Sequence, residues 1–241
     1  MSALLAAGSL ARRELIRFFR QRSRVVGALG TPLIFWLVIG SGFNYLDYLF
    51  SGTLVQIVLF ASIFSTISLI QDRNDGFLQG VLVAPVPRAA IVLGKVLGGM
   101  GIALTQGLLF LALGPLVGVK PSPLGALGAV GALALVSFAL TSLGVALAWR
   151  FTSVQGFHGV MNLLLMPMWL LSGAVFKADT AAPWIRRVMA FNPLTYGVDL
   201  VRVLLGGPGM STSLALAVTA AFGILMFGVA TASARGRMEP S

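Results

Sequence analysis

Few residues of this chain could do chemistry, and their spacing decides against most of it. Gly94-Lys95 has the residue types that end a phosphate-binding loop, in which backbone N–H groups and a lysine meet phosphate oxygens. That motif also needs a glycine five residues before Gly94 and a hydroxyl residue after the lysine, where Ala89 and Val96 stand. Leu171-Ser172-Gly173-Ala174 has the composition of an ATPase signature, but it closes an apolar run. His158 is the single histidine, with no carboxylate near it in sequence and no cysteine anywhere, so neither a metal site nor a nucleophile triad is assembled. Disulfides are excluded on the same count, and the redox compartment is not readable. Asp199 and Arg202, three residues apart, can form a helical ion pair, which would either steady a loop or touch a ligand. The expectation is a chain that is not an enzyme on its own and holds no cofactor or metal.

The elements that must position these residues are built for lipid. Of 241 residues, 57% are hydrophobic and only 10% charged, where a soluble domain carries about a quarter charged; the mean hydropathy is +0.94. A net charge of +10 could suggest nucleic acid, but the bases gather at the ends of apolar segments and not on one soluble face, so no nucleic-acid partner is expected. The Arg-rich start leads into an apolar run with no A-x-A cleavage site, which reads as a retained first span. No repeat or low-complexity linker divides the chain, so one domain over 1–241 is expected.

A helix crosses roughly 30 Å of hydrocarbon with about 20 apolar residues. Six segments qualify: Val25–Phe43, Thr53–Ile70, Ala89–Val119, Leu124–Trp149, Gly156–Phe176 and Leu214–Ala232. The third exceeds one crossing, and Gly114, Pro115 and Gly118 near its end allow it to bend. Of the 17 Lys and Arg residues, twelve fall in one set of loops (Arg12, Arg13, Arg17, Arg20, Arg22, Arg24, Arg73, Arg88, Lys95, Arg150, Arg235, Arg237) and five in the other (Lys120, Lys177, Arg186, Arg187, Arg202). The positive-inside rule then puts both termini in the cytoplasm.

Residues 1–24 read as an amphipathic cytoplasmic helix lying flat on the membrane. Arg13, Arg17, Arg20 and Arg24 recur at helical spacing opposite Ala11, Leu15, Phe18 and Phe19, which aims the arginines at anionic headgroups; Glu14 gets no role. The loop 71–88 is acidic and polar, then apolar, then broken by prolines. Asp72, Asn74 and Asp75 are plausible helix-starting caps, Phe77, Leu78, Val81 and Leu82 give an apolar face, and Pro85 with Pro87 stops the helix. Such a face needs a partner. Lys95 is expected to snorkel to the cytoplasmic headgroups, since a charge at the bilayer centre costs about 2.5 kcal/mol or more.

The fifth span carries Met161-Asn162 and Met166-Pro167-Met168-Trp169; Pro167 frees a backbone carbonyl and the methionines form an adaptable apolar wall. The outer segment 177–213 is too long for a hairpin and partly apolar, so two short helices broken at Asn192-Pro193 are expected, dipping into the outer leaflet. The middles of the spans offer Gln56, Thr105, Gln106, Ser137, Thr141, Asn162 and Thr219 but no carboxylate, which leaves proton coupling without a seat.

Two stretches carry a family resemblance. Gly76, Leu82, Pro85, Arg88, Gly94 and Lys95 in the cytoplasmic loop, and Met161, Asn162, Pro167, Ser172, Gly173, Phe176, Pro183, Trp184, Asn192, Pro193, Leu194, Thr195, Tyr196, Asp199 and Arg202 on the outer side, resemble the ABC type-2 export permeases. The chain departs from that pattern at Asp72 and Asp75, where many members are Glu-rich, and at Lys177, where many have proline. The resemblance implies an all-α membrane subunit of an ATP-driven exporter for a hydrophobic or amphiphilic substrate, in the inner or plasma membrane. It implies ABC ATP-binding subunits as partners, carrying the ATP and Mg, and a second permease copy, a homodimer before a heterodimer. Asp75, Gly76, Leu82, Pro85 and Arg88 would couple to the ATPase; Asn162, Met166, Pro167, Trp169, Phe176, Asn192, Pro193 and Tyr196 would form the substrate path and outer gate; Asp199 and Arg202 would be a structural ion pair. An ion-coupled carrier and a non-transporting scaffold are the alternatives.

Overall fold

A backbone surrounded by hydrocarbon must pair its own N–H and C=O groups, which makes long apolar runs helical. The computed structural model describes residues 3–20, 22–42, 45–83 and 86–235, and among these all regular structure is helical. The helices are α1 (Ala3–Phe19), α2 (Arg22–Gly42), α3 (Leu46–Ser65), α4 (Ile67–Asn74), α5 (Phe77–Val83), α6 (Arg88–Leu111), α7 (Pro123–Ala148), α8 (Val154–Trp169), α9 (Pro183–Phe191), α10 (Pro193–Leu204) and α11 (Thr212–Arg235). Among the described residues, 5 stretches are long and apolar enough to cross a membrane: Leu46–Asn74, Arg88–Leu111, Pro123–Ala148, Val154–Ala174 and Thr212–Ala234. The sequence predicts six. In the predicted first span the described apolar stretch is the shorter Gly30–Gly42, and Phe43 lies outside the described residues.

Local signals set several boundaries. Ser122 precedes Pro123 and accepts a hydrogen bond from the Gly125 N–H at 3.0 Å, and Ser153 does the same for Gly156 at 3.0 Å, each satisfying a donor that the first helical turn leaves open. The long third run is divided: α6 stops at Leu111, Gly114–Val117 form a 3-10 turn, and Gly118 closes it at φ 81°.

The Leu46–Asn74 stretch buries 83% of its apolar portion against 22% for Thr212–Ala234, so α3 is the central helix and α11 lies at the rim, along α7. Around α3 stand α2, α6 and α7. Trp36, Phe50 and Phe110 fill one junction with ring centroids 5.0 to 5.7 Å apart, and the Trp36 indole donates to the Leu46 carbonyl at 3.0 Å, so its polar edge is satisfied inside the bundle. Two polar regions interrupt this apolar body, one at each end of α3.

Candidate functional site

The first region is built by glycine. Ala6, Ala7, Leu10 and Glu14 form the buried strip of α1, which lies along α6. A Cβ at Gly94 would stand 2.9 Å from the Ala7 carbonyl oxygen, and one at Gly98 2.7 Å from the Glu14 Cβ; without side chains at both, the two helices touch through their backbones. That approach sets the Glu14 carboxylate 2.6 Å from the Lys95 ammonium. Lys95 also donates to Asp72 and to the Ser68 hydroxyl, the latter at 3.4 Å. Arg13 forks onto Asp72 at 2.8 and 3.0 Å, while Arg17 reaches Asp72 at 3.1 Å and the Gln71 amide oxygen at 3.0 Å. Two carboxylates and three cations thus join α1, α4 and α6. The fork onto Asp72 raises the Arg13 pKa above its ordinary value, as bidentate charge-assisted pairing does.

Three expectations are corrected here. Lys95 does not snorkel to headgroups; it is 5% exposed and paired. Glu14 has a role as its partner. Arg13 and Arg17 turn inward to Asp72 and not outward to lipid; the side chain of Arg24 lies outside the described residues.

Asp72 and Asn74 do not start a helix either. α4 runs through both, Asp75 is its C-cap, and Gly76 at φ 74° turns the chain into α5; the ion partners of Asp72 outweigh its local capping tendency. Arg73 donates to the carbonyls of Trp149 (3.2 Å) and Phe151, and Asn74 to that of Thr152 at 3.3 Å, which pins the loop to the turn after α7. On α5, Leu78 is buried and Phe77 lies under the Arg13 guanidinium, 3.8 Å from its carbon. Asp75 and Gly76 are exposed at the turn, and Arg88 opens α6. Leu82 belongs to α5, but its side chain lies outside the described residues, as does Pro85 entirely.

The second region surrounds a broken helix. Past Pro167, α8 widens into a π-turn at Leu170–Ala174, with Leu171 non-helical and Gly173 left-handed at φ 74°. Carbonyls released in this way need partners. Asn192 donates to those of Met168 (2.6 Å) and Leu171 (2.9 Å), and its side-chain oxygen caps α10 by accepting from the Leu194 N–H at 3.0 Å. Gly173 accepts from Arg202 at 2.6 Å and from the Tyr48 hydroxyl at 2.9 Å. Arg202 pairs with Asp199 at 2.8 Å, donates to Ser51 at 3.2 Å and stacks 4.2 Å from the centre of the Tyr48 ring. Burial pushes the Asp199 carboxyl above its ordinary pKa while the charge of Arg202 opposes that shift. Trp169 is 1% exposed and donates to the Gly52 carbonyl at 2.9 Å. Pro193 stands at the first turn of α10, where its missing N–H costs nothing. Thr195 donates to Met189 at 2.8 Å and Tyr196 to Ala190 at 3.0 Å, closing the turn between α9 and α10. Phe176 is half-buried just beyond the π-turn.

Asn162 and Met166 stand apart from this group, on the wall of a cavity of about 430 Å³ between α2, α3, α6 and α8; Pro167 is exposed on α8. Sequence reasoning missed Glu14, Arg73 and Tyr48. For Glu14 a signal existed: it continues the small-residue strip of α1 that faces Gly94 and Gly98.

The match to known proteins spans both polar regions. The family model described as ABC-2 type transporter covers residues 6–205. Over 233 residues the chain is 28% identical to nodulation protein J of Rhizobium leguminosarum bv. viciae, covering 89% of this chain and 87% of that protein. It is 26% identical over 224 residues to the probable doxorubicin resistance ABC transporter permease protein DrrC of Mycobacterium tuberculosis, covering 86% and 79%. It is 23% identical over 211 residues to the daunorubicin resistance ABC transporter permease protein DrrB1 of Streptomyces coeruleorubidus, covering 81% and 73%. With the model spanning α1 through α10, this chain belongs to the ABC-2 type transporter family.

Proposed function

We propose that this chain is the membrane-spanning subunit of an ATP-driven exporter, giving a hydrophobic or amphiphilic substrate its path while partner subunits hydrolyse ATP. The family match over residues 6–205 carries the reading, and relatives named as ABC transporter permeases support it. In this proposal 1–241 is one domain with both termini cytoplasmic in the inner or plasma membrane, and α2 is the first of six spans. The α1 helix lies at the cytoplasmic interface, and α9 with α10 forms a re-entrant hairpin in the outer leaflet. ATP and Mg belong to two ABC ATP-binding subunits, and a second copy of this chain completes the path.

Each polar region then has a task. The exposed turn Asp75-Gly76, together with Leu82, Pro85 and Arg88, contacts the ATPase. A displacement there is passed to α1 and α6 because Asp72, Lys95 and Glu14 join the three elements at charge-assisted distances, and a buried ionic joint yields less than an apolar slip plane. Asn162, Met166, Pro167, Trp169 and Phe176 line or support the path. Asn192, Pro193 and Tyr196 hold the outer hairpin that gates it, steadied by Asp199 and Arg202.

The test is reconstitution in proteoliposomes with and without the ATP-binding subunits, following ATP-driven accumulation of a fluorescent amphiphile in inside-out vesicles. Accumulation should need both components. Gly76→Val, Leu82→Ala and Arg88→Ala should abolish it while the chain still reaches the membrane. Pumping by the chain alone, or unchanged transport in all three variants, overturns the proposal.

A further inference from the structure

The cavity between α2, α3, α6 and α8 has one property that its apolar neighbours lack. Gln106 is 2% exposed and Gln56 6% exposed, and both line the cavity. Among the described residues neither amide group of Gln106, nor the amide oxygen of Gln56, meets a hydrogen-bond partner. A buried amide left unpaired costs about 1–3 kcal/mol, so two on one wall are expensive unless something entering the cavity pairs with them. Phe60, Phe64 and Met166 supply apolar walls, and Asn162 adds a third amide. Among the described residues no Asp, Glu, Lys or Arg lines the space. The one titratable side chain among the described lining residues, His158, lies against Phe64 in a tilted ring contact, with centroids 4.7 Å apart.

We infer that this cavity is a recognition site for the uncharged hydrogen-bonding part of an amphiphile, a hydroxyl, carbonyl or amide next to a hydrocarbon or aromatic body, with Gln56 and Gln106 as its specificity residues. A glutamine offers both donor and acceptor, so each can answer either half of such a group. A charged group meets no countercharge among the described lining residues and would enter with the cost of burying it unpaired. The volume of about 430 Å³ lies in the range of small-molecule sites, roughly 300–1,000 Å³. The inference rests on the transport reading for the origin of the ligand but not for its chemistry.

Three tritiated probes sharing a dodecyl tail test it on the full chain in nanodiscs: one with a neutral N-methylglucamide head, one with a sulfate head and one with a trimethylammonium head. Saturable binding of the neutral probe alone is expected. Gln56→Leu with Gln106→Leu, close in volume and apolar, should weaken it on the order of tenfold while thermal unfolding holds or rises. Gln106→Glu should move preference to the cationic probe. Equal binding of all three probes, or an unchanged Leu double variant, overturns the inference. So does crosslinking from position 56 or 106 that traps a second copy of the chain and excludes the neutral probe. Transport is read separately with the ATP-binding subunits: selective binding without ATP-driven movement leaves the site standing and sinks the exporter reading, and the reverse sinks the site alone.

Discussion

The two ends of α3 solve one problem with different chemistry. At its C-terminal end, formal charges meet formal charges: Glu14 and Asp72 hold Lys95, Arg13 and Arg17 across three helices. At its N-terminal end, side chains mostly meet backbone: Asn192, Tyr48 and Arg202 answer the carbonyls of Met168, Leu171 and Gly173 at the π-turn. An ionic joint is strong when complete and damaging when one member is missing, because the remaining charge is buried without a partner. A backbone lock fails more gently, since each lost bond strands one neutral carbonyl. The C-terminal end of α3 is thus built as a rigid joint between elements, and the N-terminal end as a repair of one helix that must be irregular.

The largest effect should follow Lys95→Ala. Glu14 is 4% exposed, and with Lys95 gone its nearest cation is Arg13 at 3.6 Å, already forked onto Asp72. Removing one partner of a buried pair costs about 3–5 kcal/mol, so thermal unfolding in detergent should fall by that amount. Adding Glu14→Gln removes the stranded charge and should recover part of the loss. A single variant as stable as the parent would mean that water reaches the joint and that the contrast between the ends is false.

Asn192→Ala comes next. It strands the carbonyls of Met168 and Leu171 and removes the cap of α10. A lost cap costs about 1 kcal/mol, and each of the two carbonyls adds about 1 kcal/mol, the low end for an unpaired group, because both bonds are only part-buried; the total of about 3 kcal/mol stays at or below the Lys95 loss. Hydrogen exchange should rise at 168–174 before it rises elsewhere. Uniform exchange across α8 and α10 would show that the π-turn does not depend on this side chain.

The helices were legible in the sequence because hydrocarbon enforces them, and Asn192-Pro193 was legible as a break because proline cannot donate. The partners were not. Glu14 and Lys95 are 81 residues apart, and no local pattern states that Gly94 and Gly98 would bring α1 onto α6. Asp72 was misread as a cap because capping is a local tendency, whereas three cations from elsewhere settle its place. The substitution of a π-turn for a simple proline bend was likewise hidden: the irregularity at Leu171 and Gly173 is tolerable only because Arg202 and Tyr48 come from distant elements to satisfy it.

The smallest effects test whether burial sets the strength of the backbone lock. Thr195 and Tyr196 are adjacent and each donates one hydroxyl bond to the α9 backbone, at 2.8 and 3.0 Å. Thr195 is 7% exposed, whereas the Tyr196 bond lies at the surface. Thr195→Val removes a buried bond and leaves the Met189 carbonyl with the Asn192 N–H alone, at 3.2 Å, and should cost about 1 kcal/mol. Tyr196→Phe leaves the Ala190 carbonyl to water and should cost about 0.5 kcal/mol or less. Both substitutions keep the side-chain shape, so the unequal losses report the hydrogen bonds and not the packing. Equal losses in thermal unfolding would mean that the two hydroxyls share one solvent environment, and the lock at Asn192 would then also be wetter than the ionic joint it is compared with.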